Sequence, residues 1–197
     1  MVEQSAYTGS VPRSSRGGRT KMDKINLENP IVCLITGPAG AGKSTVSRSL
    51  AEKFEKSAVV NVDSLRNSII GGRVKPWPHS EEVDRQMALA AKNACLLANN
   101  FLDSGFSVII DDVIGKKLLN QYKDFFPNIK IFLLLPSVDT LLSRFDNRGD
   151  DAELRKRTED LHEKFTSRKD ELDWQVVDSS NQTVEDTADQ IFIELIK

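Results

Sequence analysis

Hydrophobic positions along the chain follow two rhythms. Near-continuous apolar runs at residues 31–35, 58–62, 108–110, 130–135 and 175–178 predict short strands buried on both faces of a sheet. Between them, apolar residues recur at helical spacing: Val46, Leu50, Ala51 and Phe54 after the first run, then Val83, Met87, Ala90, Ala94, Leu97 and Phe101 after the second. A short helix at 64–70 is stopped by Gly71-Gly72. Further helices are expected at about 138–148 and 153–170, and a last one after Ser179-Ser180-Asn181. Pro136 ends the fourth strand, and residues 71–80, with Pro76-Trp77-Pro78, form an irregular excursion suited to one wall of a pocket. Strand alternates with helix throughout, so the expected fold is α/β, a doubly wound parallel sheet of about five strands between two helical layers. Ligands of such sheets bind at the carboxyl ends of the strands.

At that edge the first strand breaks into Gly37-Pro38-Ala39-Gly40-Ala41-Gly42-Lys43-Ser44-Thr45. Gly37, Gly42, Lys43 and Ser44 complete the G-x-x-x-x-G-K-[ST] spacing of a phosphate-binding loop. Glycines let the backbone curl until successive N–H groups point into one concavity, and the helix that follows adds its dipole. Lys43 is placed to neutralise β- and γ-phosphates, and the Ser44 hydroxyl to serve Mg²⁺, which favours hard oxygen ligands. An ordinary glycine turn would need none of the strand, loop and helix context that surrounds these residues.

Composition narrows the partners. With 197 residues, 39% hydrophobic and 28% charged, the chain has the size and apolar content of one globular domain. Its net charge of −2 advertises no extended nucleic-acid surface, and no apolar run is long enough to span a bilayer. Cys33 and Cys95 sit inside a predicted strand and a predicted helix, at no metal or disulfide spacing, which suits a reducing cytoplasm. Residues 1–29 are rich in Ser, Gly and Arg and lack apolar periodicity, so they are expected to form a disordered tail preceding one domain at 30–197. Met22 lies shortly before the first strand, and residues 1–21 are expected to be a dispensable extension. Nothing in the sequence speaks to oligomeric state.

Three further groups stand out: Asp63 after the second strand with Arg66 one helical turn on, Asp111-Asp112 at the end of the third strand, and Arg144 with Arg148 ahead of Gly149-Asp150-Asp151. With these in hand, the chain from about residue 31 onward resembles the small P-loop kinases of metabolites, of the gluconate, shikimate and chloramphenicol phosphotransferase types. The Gly-Pro-Ala-Gly-Ala-Gly-Lys-Ser-Thr loop, the Gly71-Gly72 and Pro76-Trp77 stretch and Val108-Ile109-Ile110-Asp111 carry the likeness. It implies a P-loop NTPase, nucleoside-kinase-like sandwich that uses Mg²⁺-ATP to phosphorylate a hydroxyl of a small molecule. Asp111 would then join Ser44 at the metal, and the adenine would lie near Ser179, Ser180 and Asn181.

The same likeness sets Asp63 against the acceptor hydroxyl, which a carboxylate can orient and deprotonate. The alternative for Asp63 is a simple helix cap. Asp112 points at the acceptor or caps the next helix. Arg66 and Trp77 are candidate acceptor contacts, although Trp77 could equally pack the excursion onto the long helix. Arg144 and Arg148 resemble the arginines of a mobile lid that match charge on the transferred group; a solvated charged helix continuing through Arg155, Lys156 and Arg157 is the alternative. Asn61 departs from the shikimate kinase pattern, which has a second acid there. Two other activities compete with the metabolite kinase: a polynucleotide 5′-hydroxyl kinase and a regulatory NTPase without an acceptor.

Overall fold

The computed structural model describes residues 24–146, 152–169 and 173–197. Five strands, β1 (Val32–Thr36), β2 (Ser57–Asn61), β3 (Ser107–Asp111), β4 (Lys130–Leu134) and β5 (Gln175–Val177), form one sheet in the order β2-β3-β1-β4-β5. Every pairing is parallel. Helices α1 (Lys43–Ala51), α2 (Val62–Asn67), α3 (Glu81–Asp103), α4 (Lys116–Phe125), α5 (Val138–Asp146), α6 (Ala152–Arg168) and α7 (Val184–Leu195) cover it.

Alternate residues of the central strand serve two cores, as the period of a strand requires. Leu34, with Ile110 and Leu133, faces Ala91, Ala94 and Cys95 of α3, Tyr122 of α4, and Phe165 and Trp174. Cys33 and Ile35, with Ile109, Phe132 and Leu134, face Leu50 and Phe54 on one side and Ile191 and Phe192 of α7. Phe54 and Phe192 meet edge to face with ring centroids 5.3 Å apart. Burial pushes both cysteine thiols up to about 12, so each is a core residue and neither a ready nucleophile.

Three boundaries differ from expectation, each for a local reason. The second strand ends at Asn61, because the Asn61 side chain accepts the Ser64 N–H at 2.8 Å and starts α2 there. Asp63 therefore belongs to the first turn of α2 and is not its cap. The helix expected after Asp111-Asp112 showed no bounds among polar residues; Leu119, Tyr122 and Phe126 are buried and spaced three and four apart, the apolar stripe that holds it as α4. The expected tail at 1–29 stops short of residue 29. Ile25 donates its N–H to the Lys53 carbonyl and accepts the Glu55 N–H, both at 2.9 Å. Ile25 and Leu27 then pack on the Phe54 side of the core, so residues 24–29 join the domain while residues 1–23 lie outside the described residues.

Deleting residues 1–21 is expected to leave the melting temperature unchanged, whereas deleting residues 1–27 removes two partly buried apolar side chains. At about 1 kcal/mol each, and about 2–4 °C per kcal/mol for a domain of this size, the longer deletion is expected to lower the melting temperature by about 4–8 °C in a thermal unfolding scan.

Candidate active site

The loop between β1 and α1 is held open for an anion. Gly37 has φ +146°, and a Cβ there would lie 2.3 Å from the Leu134 carbonyl oxygen, so only glycine lets the loop seat against the end of β4. Gly42, at φ +95°, starts α1, and its carbonyl accepts the Thr45 and Val46 N–H groups at 3.1 and 2.9 Å. The first turn of α1 carries no acidic side chain, so its amides and dipole are left for a ligand. Lys43 lies across the loop, donating to the Pro38 carbonyl at 3.2 Å.

Strand register brings Asp111 opposite both Ile35 and Asn61. Asp111 is 2% exposed, and its Oδ2 accepts the Ser44 hydroxyl at 2.5 Å and the Asn61 amide at 2.9 Å. Asn61 thus spans two elements: its oxygen caps α2 and its nitrogen braces Asp111. Among the described residues no three His, Cys, Asp or Glu side chains cluster as a metal cage. The donors at hand, one hydroxyl and one carboxylate beside a phosphate loop, fit Mg²⁺, which takes few protein ligands and fills its octahedron with water and phosphate.

Asp112 does neither of the things expected of it from sequence. Gly115 is the N-cap of α4, and the Asp112 oxygens are taken inside the protein, by the Val113 N–H and the Tyr122 hydroxyl, each at 2.7 Å. The sequence pattern could not show this, because it did not say which face of α4 turns Tyr122 toward the end of β3. Burial pushes the Asp112 carboxyl up to about 6; the Tyr122 and Val113 bonds oppose that, the Asp63 charge adds to it and the Lys43 charge opposes it. Asp112 is therefore electrostatically linked to both Asp63 and Lys43.

The Asp63 side chain is 67% exposed, with Oδ1 3.9 Å from the Arg66 Nε. Arg66 is buried, its Nε makes no hydrogen bond, and its Nη1 reaches the Val74 carbonyl at 3.5 Å. Gln86 of α3 fixes this excursion by donating to the Gly72 carbonyl at 2.8 Å and accepting the Val74 N–H at 3.1 Å. Trp77 is 44% exposed and lines, with Pro76, Val83, Met87 and Arg157, a cavity of about 200 Å³. Burial and the Arg66 charge hold the Arg157 guanidinium below its ordinary value, against the pull of Asp63. Arg157 and Gln86 are the residues that sequence reasoning missed as site components. Arg157 looked like one charge in a run, and Gln86 had no visible signal.

Arg144 comes to the loop from its outer side. Its guanidinium donates to the carbonyls of Gly40 (3.4 Å), Ala41 (3.3 Å) and Ser179 (3.3 Å). A loop that turns its N–H groups inward turns carbonyls outward, and these draw the arginine. A cavity of about 210 Å³ opens beside it, lined by Gly42, Thr45, Arg144, Ser179, Gln182 and Thr187. Ser180 sits at the adjoining turn and accepts the Ser137 N–H at 2.7 Å, while Asn181 is exposed. Arg148, the other expected lid arginine, lies outside the described residues. Among the described residues no helix is long and apolar enough to cross a membrane.

Comparison with known proteins agrees with this geometry. Residues 33–171 match the family model described as an AAA domain. A guanylate kinase of Prochlorococcus marinus is 30% identical over 145 residues, covering 65% of this chain and 76% of that enzyme. Among solved structures, shikimate kinase from Acinetobacter baumannii superposes with a TM-score of 0.60 at 20% identity, over 86% of this chain and 94% of that one. A gluconokinase from Sinorhizobium meliloti gives 0.64 at 17% identity, over 85% and 92%. The family match spans most of the chain, and the chain belongs to the AAA domain family, as a P-loop kinase built for ATP-dependent phosphoryl transfer.

Proposed function

We propose that the protein transfers the γ-phosphoryl group of Mg²⁺-ATP to a hydroxyl of a small molecule. The observation that carries this reading is the exposed Asp63 carboxylate, 3.9 Å from the buried Arg66 and linked through Asp112 to the field of Lys43. A hydroxyl acceptor needs a group to orient it and take its proton, and the exposed Asp63 carboxylate beside Arg66 can do both. The amides of residues 37–45 and Lys43 would bind the β- and γ-phosphates, Ser44 and Asp111 would hold the metal, and the cavity beside Arg144 would take the adenine. The metal would neutralise charge on the phosphates. Arg148 would balance charge that develops during transfer, while Arg144, seated on the outer carbonyls of the loop, would flank the adenine. Trp77 and Arg66 would form the acceptor wall.

Similarity to guanylate kinases favours a second reading, in which the acceptor is a nucleotide phosphate. The Arg66 and Arg157 pair would welcome such an anion, whereas Asp63 would repel it. Measuring ADP release with neutral polyols, hydroxy acids and guanylate as acceptors separates the two. Stimulation by guanylate alone would overturn the hydroxyl reading.

Lys43→Ala is expected to abolish turnover and weaken ATP binding with no loss of folding, since the side chain belongs to the loop and to neither hydrophobic core. An ATP titration beside a thermal scan checks it. Asp63→Asn is expected to keep ATP affinity and to slow single-turnover transfer by about 10²- to 10⁴-fold, the range of a positioned general base. Because Asn61 holds the cap, this variant has little structural cost, and transfer at the wild-type rate would remove Asp63 from the mechanism.

Asn61 gives a test of the metal side. Asn61→Ala is expected to destabilise the fold by about 1 kcal/mol through the lost cap. Asn61→Asp keeps the cap but sets a second carboxylate against Asp111, so its melting temperature should fall further without Mg²⁺ and recover when Mg²⁺ is added. Equal melting temperatures with and without Mg²⁺ would show that the pair does not face the metal.

A further inference from the structure

A second cavity on the acceptor side has a composition that the phosphate chemistry does not use. It measures about 250 Å³ and lies where the chain leaves β3, between Ile114, Gly115 and the α6 residues Arg157, Lys164 and Arg168, with Trp174 in its wall. Ile114, Phe165 and Trp174 supply an apolar lining, the last two as tilted rings with centroids 6.1 Å apart. Among the described residues that line it, three are cations and none is an acid. Trp174 is 92% buried, from an exposure of 8%, yet its indole N–H has no hydrogen-bond partner. A buried donor left unpaired is costly and calls for an acceptor atom from elsewhere.

From this cavity we infer a specificity subsite for an anionic compound with a compact apolar ring or chain, its charge met by Arg157 and Lys164 and its body packed on Phe165 and Trp174. The inference rests on the hydroxyl-acceptor reading for its place in catalysis, because Arg157 also lines the Trp77 cavity and feels the charges of Asp63 and Arg66. Size narrows the ligand. The volume falls below the roughly 300–1,000 Å³ of ordinary ligand pockets, so the occupant is a small acid and not a whole nucleotide. Cationic side chains in a partly desolvated site distinguish strongly between a charged group and its neutral isostere. The anion can be a carboxylate or a phosphate monoester, which share this chemistry.

Calorimetric titration of the full chain without ATP tests the subsite directly. The probes are cyclohexanecarboxylate, its neutral amide and phenyl phosphate. Carboxylate binding with the amide at least about tenfold weaker, the usual scale for a charge-assisted bond, supports the inference with a carboxylate source. Binding of phenyl phosphate alone supports it with a phosphate source. Lys164→Gln, at an exposed position that does not threaten folding, and Arg157→Gln are each expected to weaken the bound probe about tenfold. Trp174→Phe, which keeps the ring and removes the donor, is expected to weaken it less. Equal binding of acid and amide, no binding by any probe, or affinity untouched in both cation variants would overturn the subsite. The same titration on Asp63→Asn keeps the two proposals apart: intact probe binding together with wild-type transfer would sink the hydroxyl-acceptor mechanism and leave the subsite standing.

Discussion

The close approach of the loop backbone to the end of β4 is the constraint on which the site depends. Where Gly37 leaves β1, there is no room for a side chain against the Leu134 carbonyl. Loop curvature, the start of α1 at Gly42 and the direction of the free amides all follow from that contact. Neighbouring bonds fix the other side of β1 in the same way. The Asp112 N–H donates to the Ile35 carbonyl at 3.2 Å, and the Ile114 N–H to the Thr36 hydroxyl at 3.1 Å. The segment leaving β3 is thereby fastened to the base of the loop, and it carries Asp111, Asp112 and one wall of the acceptor-side cavity.

Asn61 extends this rigidity to the helix that bears Asp63 and Arg66. One amide group caps α2 and braces Asp111, which in turn holds Ser44. The part-buried bonds of this chain end on the buried Asp111, where losing a partner would strand a carboxylate in a low dielectric. The loop and α2 are thus connected through three short contacts, and the spacing between the loop and Asp63 follows from the ladder between β2 and β3.

Charge is distributed to match. The chain as a whole is nearly neutral, yet Lys43, Arg66, Arg144 and Arg157 all gather near the carboxyl edge of the sheet. Asp111 and Asp112 answer them from buried positions, with Asp112 driven toward its neutral form by burial. Asp63 stands apart as an exposed carboxylate, which is why the reading of the acceptor turns on it.

The loop, the parallel sheet and the edge at which the site forms were legible in the sequence, because each depends on short-range chemistry. Glycines at fixed intervals, apolar runs of strand length and a lysine at the mouth of a helix declare themselves within a few residues of one another. The acid pair at the end of β3 was equally visible, but its division of labour was not: Asp111 and Asp112 are adjacent in sequence and opposite in direction, as successive strand residues must be. Which one met Ser44 and Asn61 and which met Tyr122 was decided by the register with Asn61 and by α4 packing against α3. Arg144 likewise carried its charge in the sequence, while its seat on the outer carbonyls of the loop depended on where α5 docks. Arg157, Gln86 and Trp174 were silent in sequence, since long-range packing alone makes a site residue of an arginine in a charged run, a glutamine on a helix or an indole near a strand. Local pattern determined what the chain could bind. Tertiary contacts across tens of residues decided which side chains would face it.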